Sequence, residues 1–299
     1  MEMHQLRYFV ELARQGNFSR AAEACYVSQP SLSQQIMKLE DELGQPLVQR
    51  TRKGARLTHF GETMLPRARR ILLEAECIRD EAQAHNDIAC GKINLGAIPT
   101  IAPFLLPALM ERCLAEYPQM ELSLVEDTTN DLVSGLRNGR LDFALMSRPF
   151  PWENELEART LFDDELLLTL AESHPLNKRR RIKLEDLAEY PMIVMKDMHC
   201  LGRQSISLCE SSGLTPKVSI ESAQLETVVS LIEGGLGFSF IPKMAAEQMK
   251  HRRVGFHSVS PQSVSRAIVL VWANTGSMTR TQRAFHDMVV ELSAVPRAL

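Results

Sequence analysis

Residues 17 to 58 constrain the fold more than any other stretch, because they read as two crossing helices followed by a basic hairpin. Leu32, Ile36, Leu39 and Leu43 recur with 4-3-4 spacing, which sets one face of an α-helix on a core. At roughly 100° per residue, Pro30, Gln34, Met37, Lys38 and Asp41 project away from that stripe, with Ser31 and Ser33 on its flanks. Ser28 suits the N-cap and Pro30 the first turn. The first turns of this helix therefore present Gln29, Ser31, Ser33 and Gln34, short donors and acceptors of the kind that read base edges in a major groove. The preceding segment, Phe18 to Cys25, holds Arg20 and the small residues Ala21, Ala22 and Ala24, which let two helices approach closely. Downstream, Arg50, Arg52, Lys53 and Arg56 fall within seven residues, broken by Gly54 and free of acids. Such a loop meets phosphates, which supply affinity with little sequence information.

The charge of the whole chain is only −3 over 299 residues, so affinity for a polyanion must come from a local patch. The first residues include Glu2 and Arg7 and lack the apolar run of a signal peptide; no later stretch approaches the ~20 apolar residues of a membrane span. The expected compartment is the cytoplasm, with no membrane partner. From Phe60 to about Asn86 the pattern is one long helix, with Leu65, Ala68, Leu72 and Ala75 at a/d-like spacing, Arg79 interrupting and Ala82 resuming. That stripe either packs on the helix's own domain or pairs with a second copy.

Near Cys90-Gly91-Lys92 the text changes to alternating strand and helix. Short apolar runs at Ile93 to Ile98, Glu121 to Val125 and Leu141 to Met146 alternate with helical stretches at Pro103 to Tyr117 and Asn130 to Asn138. The style repeats with strands at Glu165 to Leu170, Met192 to Met195, Val218 to Glu221 and Phe238 to Pro242. Helices are expected near Arg203 to Ser212 and from Gln224 to Glu233; Ala267 to Trp272 and Thr279 to Leu292 close the chain as strand and helix. Alternation of this kind makes parallel sheet covered by helices, with a crevice at the carboxyl ends of the strands. Two α/β lobes crossed twice by the chain, with hinges near Leu161 and Arg266, resemble a periplasmic-binding-protein fold.

Six cysteines in a chain of this length do not form a disulfide framework. Cys25, Cys77, Cys90 and Cys113 sit in helical or linker contexts and read as small packing residues. Cys200 differs, because Lys196, His199 and Arg203 are its neighbours and cations favour thiolate over thiol. Cys209 lies nine positions on. Nine helical residues advance about 13.5 Å and turn about 180°, whereas a disulfide needs Cα atoms roughly 4.4 to 6.8 Å apart. Any bridge between the two must unwind or reposition an intervening helix. One His beside a Cys, with a second Cys nine residues away, does not match the paired spacing of zinc ligands, so neither metal nor cofactor is expected.

The text of the N-terminal region carries a family resemblance. Leu6-Arg7-Tyr8-Phe9, Phe18-Ser19-Arg20-Ala21-Ala22, Val27-Ser28-Gln29-Pro30-Ser31-Leu32-Ser33, Ile36-Met37-Lys38-Leu39-Glu40 and Leu57-Thr58-His59-Phe60-Gly61 resemble the winged helix-turn-helix of LysR-type transcriptional regulators. The resemblance extends more loosely over the whole chain. It implies an α+β multidomain protein. Residues 1–58 would be a winged helix-turn-helix, 59–89 a linker and dimerisation helix, and 90–299 a two-lobed α/β regulatory domain. Lobe I would take about 90–161 plus 267–299, and lobe II about 162–266.

His199-Cys200-Leu201 and Cys209 are similar to the redox element of the peroxide-sensing group of that family, known as OxyR. Gly96 to Thr100, Pro103 to Pro107, Glu126 with Thr129, and Arg266 before Ile268-Val269-Leu270 add to the likeness. The resemblance implies that Cys200 is the peroxidatic thiol and Cys209 the resolving one, with Thr100, Thr129, His199 and Arg266 orienting peroxide or stabilising thiolate and hydroxide. Gly202-Arg203 departs from it, since many relatives place the arginine one residue earlier and an acid after it.

The expected function is a non-enzymatic activator that binds double-stranded operator half-sites as a dimer or tetramer, contacts RNA polymerase and takes hydrogen peroxide as its signal. Its DNA contacts would be Arg20, Gln29, Pro30, Ser31, Ser33, Gln34, Lys38, Arg50, Arg52 and Lys53. The alternatives are a LysR regulator that binds a small metabolite between its lobes, or a thiol peroxidase or solute-binding protein with a chance helix-turn-helix pattern.

Overall fold

A computed structural model describes residues 1–51, 54–82, 91–179, 181–196, 200–259, 264–274 and 276–294. Arg52, Lys53, Cys90 and His199 fall outside these residues, as do the side chains of Cys77, Arg79 and Ala82.

Three apolar clusters organise the chain. The first joins Leu6, Phe9 and Leu12 of α1 (Met3–Gln15), Ala21 and Ala22 of α2 (Phe18–Ala24), and Leu32, Ile36 and Leu39 of α3 (Gln29–Leu43). Ser28 caps α3, its Oγ accepting the Ser31 N–H at 3.3 Å, and Gly44 closes the helix in the left-handed conformation at φ 66°. The antiparallel hairpin of β1 (Val48–Thr51) and β2 (Gly54–Leu57) is then pinned to the end of α1, where the Ala55 N–H donates to the Gly16 carbonyl at 2.7 Å. Gly54 is required twice over at this junction. Its φ is 135°, and a Cβ would run into the same Gly16 oxygen.

Helix α4 (His59–Ala82) leaves the hairpin as the expected long helix, with the start of the expected stripe turned inward. Leu65 and Ala68 are buried, and Leu72 is partly buried, against the core of α1 to α3 of the same chain. The a/d positions read from sequence are therefore largely used within the protomer. The exposed apolar residues are Ile71, 39% accessible, and Ile78, 67% accessible, seven positions apart on another face.

The remaining chain forms two lobes around a shared pair of strands. In lobe I, β3 (Gly91–Ala97) pairs in parallel with β4 (Met120–Glu126) and β5 (Phe143–Ser147). Helices α5 (Ala102–Glu116), α6 (Thr129–Arg137) and α10 (Arg280–Ala294) contribute Leu105 and Leu109, Leu132 and Leu136, and Phe285 and Met288 to its core. Strand β6 (Leu156–Ala171) runs antiparallel to β11 (Ser265–Ala273), which also pairs with β5. The far half of β6 leaves lobe I and pairs with β9 (Ser239–Pro242) and β10 (Val254–His257) in lobe II. Parallel strands β7 (Pro191–Met195) and β8 (Lys217–Ser222) extend that lobe through a bridge from Met192 to Phe238. Helices α7 (Cys200–Ser211), α8 (Leu225–Glu233) and α9 (Lys243–Gln248) supply Leu208, Val228, Val229 and Ala245 to the second core. A register shift between Ile268 and Val269 faces Phe162 and Thr160, so the crossing pair twists beside Leu161.

Strand β6 is longer than the apolar run at 165–170 suggested, because its first half carries Glu157, Arg159, Asp163 and Asp164. Backbone pairing with β11 holds that half in place where hydropathy gave no signal. Among the described residues, no helix is long and apolar enough to cross a membrane.

The junction at Gly54 yields a local prediction. Gly54→Ala should remove amide protection throughout β1 and β2 while leaving both lobes unchanged. Hydrogen exchange read by mass spectrometry checks this, and retained protection in the hairpin would show that the contact with Gly16 is dispensable.

Candidate functional site

The surface of α3 comes first. Pro30, Ser31, Gln34 and Lys38 are exposed on one side of the helix, and Gln29 is half-buried in its first turn. Arg20 is exposed on α2, whose N-terminus is held by the Asn17 side chain accepting the N–H groups of Ser19 and Arg20. Ser33 is placed differently from the sequence reading. It is buried, and its hydroxyl accepts a hydrogen bond from Arg50 of the hairpin. The Arg50 guanidinium also lies 4.7 Å from the centre of the Phe18 ring. Ser33 and Arg50 thus lock the hairpin to α3, which withdraws Ser33 from any base edge. Arg56 remains exposed on the hairpin.

The thiol lies at the seam of the two lobes. Cys200 is the first residue of α7 and is buried, and its sulfur sits 3.2 Å from the Ser147 Oγ at the end of β5. One turn later on the same helix face, Gln204 Nε2 donates to that Oγ at 3.3 Å and to the Arg148 carbonyl at 2.9 Å. Cys200 packs in the core of lobe I, whereas the next residue, Leu201, packs in the core of lobe II. Gly202 explains how α7 comes to sit there. A Cβ at this position would meet the Met195 carbonyl oxygen at the end of β7, so glycine lets the first helical turn rest on the strand.

Cys209 is fully buried in the lobe II core near the other end of α7. Burial, helped by the neighbouring charge of Glu210, pushes its thiol up to about 11. Both cysteines are free. With the intervening segment helical, they stand about 13.5 Å apart along the axis, which a disulfide cannot span.

Arg266 occupies the crossing itself. It is 2% accessible, and its Cα partner across the β6–β11 pair is Asp164. Its Nε and Nη2 donate to Asp164 Oδ2 at 3.1 and 3.0 Å, Nη1 donates to Thr100 Oγ1 at 2.7 Å, and Nη2 also reaches the Thr100 carbonyl at 3.0 Å. The second Asp164 oxygen accepts the Met244 N–H of α9 at 3.1 Å. Burial pushes the Asp164 carboxyl up, against the pull of Arg266 and of the backbone N–H groups of Met244 and Lys243. Arg266 therefore shares its charge with a carboxylate, and is a clamp between Thr100 of lobe I and α9 of lobe II rather than an unpaired cation beside the sulfur.

Thr129 is buried in the first turn of α6, but Thr128 does the capping, its Oγ1 accepting the Asp131 N–H at 3.3 Å. Thr129 Oγ1 and Gln204 Oε1 have no hydrogen-bond partner among the described residues. Buried orphan atoms of this kind are sites for water or a small polar ligand. A cavity of about 560 Å³ borders Cys200, with Arg148, Arg203, Gln204, Ser207 and Arg266 among its walls. Arg148 is tied to Glu153 at 2.6 Å, whereas Arg203 has no ion pair among the described residues. Sequence reasoning missed Ser147, Asp164 and Gln204. The i, i+4 relation of Gln204 to Cys200 was available as a signal; the pairing of Asp164 with Arg266, 102 positions apart, was not.

Two family models match the chain: the bacterial regulatory helix-turn-helix protein of the lysR family over residues 3–62, and the LysR substrate binding domain over residues 87–294. The chain is 33% identical over 252 residues to the DNA-binding transcriptional dual regulator OxyR of Escherichia coli, covering 84% of this chain and 82% of that one. Among solved structures it is similar to a full-length OxyR variant from Pseudomonas aeruginosa, with TM-score 0.84 and 30% identity over 100% of this chain and 96% of that one. A hydrogen peroxide-bound OxyR variant from Corynebacterium glutamicum matches with TM-score 0.64 and 31% identity over 98% and 96% of the two chains.

The clamp predicts non-additive mutants. Asp164→Ala leaves a buried guanidinium without its carboxylate and should cost about 3–5 kcal/mol. Asp164→Leu alone should cost a similar amount, Arg266→Met alone should also destabilise, and the two combined should recover most of the loss. Urea unfolding of the wild type, these two single variants and their double variant checks the cycle, and additive losses would contradict the coupling. Cys209 predicts a pH dependence of the same lobe. Because its folded thiol titrates near 11 and an unfolded one near 9, stability is complete below pH 9 and falls as pH rises toward 11. Cys209→Ala should flatten that decline in unfolding measured across the range.

Proposed function

This chain belongs to the LysR family of transcriptional regulators, and from that premise we propose that it is switched by hydrogen peroxide through Cys200 and Cys209. It is a DNA-binding regulator, not an enzyme. The reading rests above all on the placement of two free thiols at opposite ends of one helix and in the cores of different lobes. The Cys200 thiolate attacks one peroxide oxygen, the O–O bond breaks, and the products are a sulfenic acid and hydroxide, which leaves as water after taking a proton. The Cys209 sulfur then attacks the sulfenic sulfur, forming the disulfide and releasing a second water. Ser147 and Gln204 hold the Cys200 side of α7, and the open acceptors at Thr129 and Gln204 suit a small hydroxylic molecule. Thr100 and Arg266 act by setting the lobe geometry, and His199 belongs to the segment adjoining the thiol. Resolution requires α7 to unwind, because no regular helix brings these sulfurs together.

The functional modules are residues 1–58 for DNA, 59–89 for linking and pairing, and 90–299 for sensing. Gln29, Pro30, Ser31 and Gln34 face the major groove, while Arg20, Lys38, Arg50 and Arg56, with Arg52 and Lys53, meet phosphates. The exposed Ile71 and Ile78 support pairing of α4 with a second copy, which matches two half-sites. The protein works in the reducing cytoplasm as an activator, bound as a dimer or tetramer and contacting RNA polymerase. The cavity beside Cys200, bordered by Arg203 with no ion pair among the described residues, favours as second reading a small metabolite between the lobes.

Equimolar peroxide should remove about 2 Da from the wild type, in a peptide pair joined through Cys200 and Cys209. Cys209→Ser should still consume peroxide but stop at a trappable sulfenic acid, and Cys200→Ser should do neither. A disulfide or an unchanged DNA response in Cys200→Ser would overturn the switch in favour of the metabolite reading. On an operator selected from random DNA, Lys38→Ala should reduce the salt slope of binding by about 1, whereas Gln34→Ala should relax base preference at an unchanged slope.

A further inference from the structure

A second cavity, of about 350 Å³, lies away from the thiol where α1, α4 and lobe I meet. Its walls are mainly apolar, with Val10 from α1, Leu72 and Leu73 from α4, and Leu136, Phe143 and Trp272 from lobe I. Phe143 and Trp272 pack edge to face with centroids 6.2 Å apart, giving the cavity an aromatic wall. Arg69 of α4 reaches into this junction and donates to the Arg137 carbonyl at the end of α6. Gly139 makes room for it, since a Cβ there would lie 2.9 Å from Arg69 Nε. Yet Arg69 Nε and Nη2 are buried without any hydrogen-bond partner among the described residues. Burial without a counter-ion lowers this guanidinium to about 10.

Two carboxylates border the same space and leave Arg69 uncompensated. Glu11 is held by Arg14 at 2.6 Å and by Gln15 at 2.8 Å. Asp142 accepts the Asn94 N–H and side-chain amide at 2.7 and 3.0 Å and the Gln282 amide at 3.0 Å. A buried guanidinium with free donors is expensive to leave unmatched, and two parallel N–H groups suit a carboxylate. From this geometry we propose that the cavity binds a small organic monocarboxylate with a flat apolar body, its carboxylate on Arg69 and its body against Trp272. The committed charges of Glu11 and Asp142 disfavour a second anionic group on the ligand. Since the walls come from the DNA-binding unit, the linker helix and lobe I, occupancy stabilises their observed packing and couples to DNA affinity independently of the thiols.

Calorimetric titration of the reduced full-length protein with benzoate and cinnamate tests the site. Cinnamate should bind, and neutral cinnamamide should bind at least about tenfold more weakly, the loss expected for a charged hydrogen bond. Arg69→Gln should weaken cinnamate by a similar factor, and Leu73→Trp, which fills the space, should abolish binding even if Arg69→Gln proves misfolded by circular dichroism. Arg203→Gln separates this site from the cavity beside Cys200 and should leave the titration unchanged. Absence of binding by both carboxylates, equal binding of the amide, retention of affinity in Leu73→Trp, or loss of it only in Arg203→Gln would each overturn the proposal.

Discussion

The buried ion pair of Arg266 and Asp164 is the constraint on which the regulatory half depends. Both residues sit on the strands that cross between the lobes, opposite each other in register. Their charges would be costly in a core if left apart, and together they are satisfied by Thr100 on one side and the Met244 N–H on the other. The pair therefore fixes where lobe I ends and lobe II begins more tightly than apolar packing would, because packed cores tolerate volume-conserving exchange whereas an unpaired buried charge is not tolerated. Position 200 is set within that frame. Helix α7 rests on β7 through Gly202 and presents its first side chain to Ser147 across the seam.

Much of the fold was legible from periodicity. The α3 stripe, its Ser28 cap and Pro30, and the strand–helix alternation from β3 to β5 all announce themselves, because each element has a buried face with its own period. The first half of β6 did not, since backbone pairing places charged residues in a strand that has no apolar alternation. The seam of α4 was left open between two neighbours for a similar reason. A heptad pattern says that one face is covered without saying by what, and here Leu65 and Ala68 are covered by α1 to α3.

The candidate site was legible in part. Cys200, Cys209, Thr100, Thr129 and Arg266 were all singled out, but their local roles depend on partners that sequence does not bring together. Arg266 reads as a free cation until Asp164 is seen opposite it. Thr129 stands one position past the cap of α6, a role that Thr128 fills, and this leaves the Thr129 hydroxyl without a partner among the described residues. Ser33 reads as a base contact until the hairpin delivers Arg50 to it. In each case a residue with several possible partners is decided by a contact distant in sequence or by a one-residue shift in helix phase.

The burial of Cys209 gives the proposed switch an order of events. A thiol held near 11 is protonated at neutral pH and is a poor nucleophile where it sits. Oxidation at Cys200 alone changes neither that environment nor the distance along α7. Resolution must therefore follow the release of Cys209 from the lobe II core, and the same release both exposes the thiol to water and removes the helix that separates the sulfurs. Loss of Cys200 from its place beside Ser147 loosens the start of α7 in lobe I, while departure of Cys209 opens a gap in lobe II. The disulfide thus cannot form without disturbing both cores, and this converts a bond between two residues into a change of lobe structure.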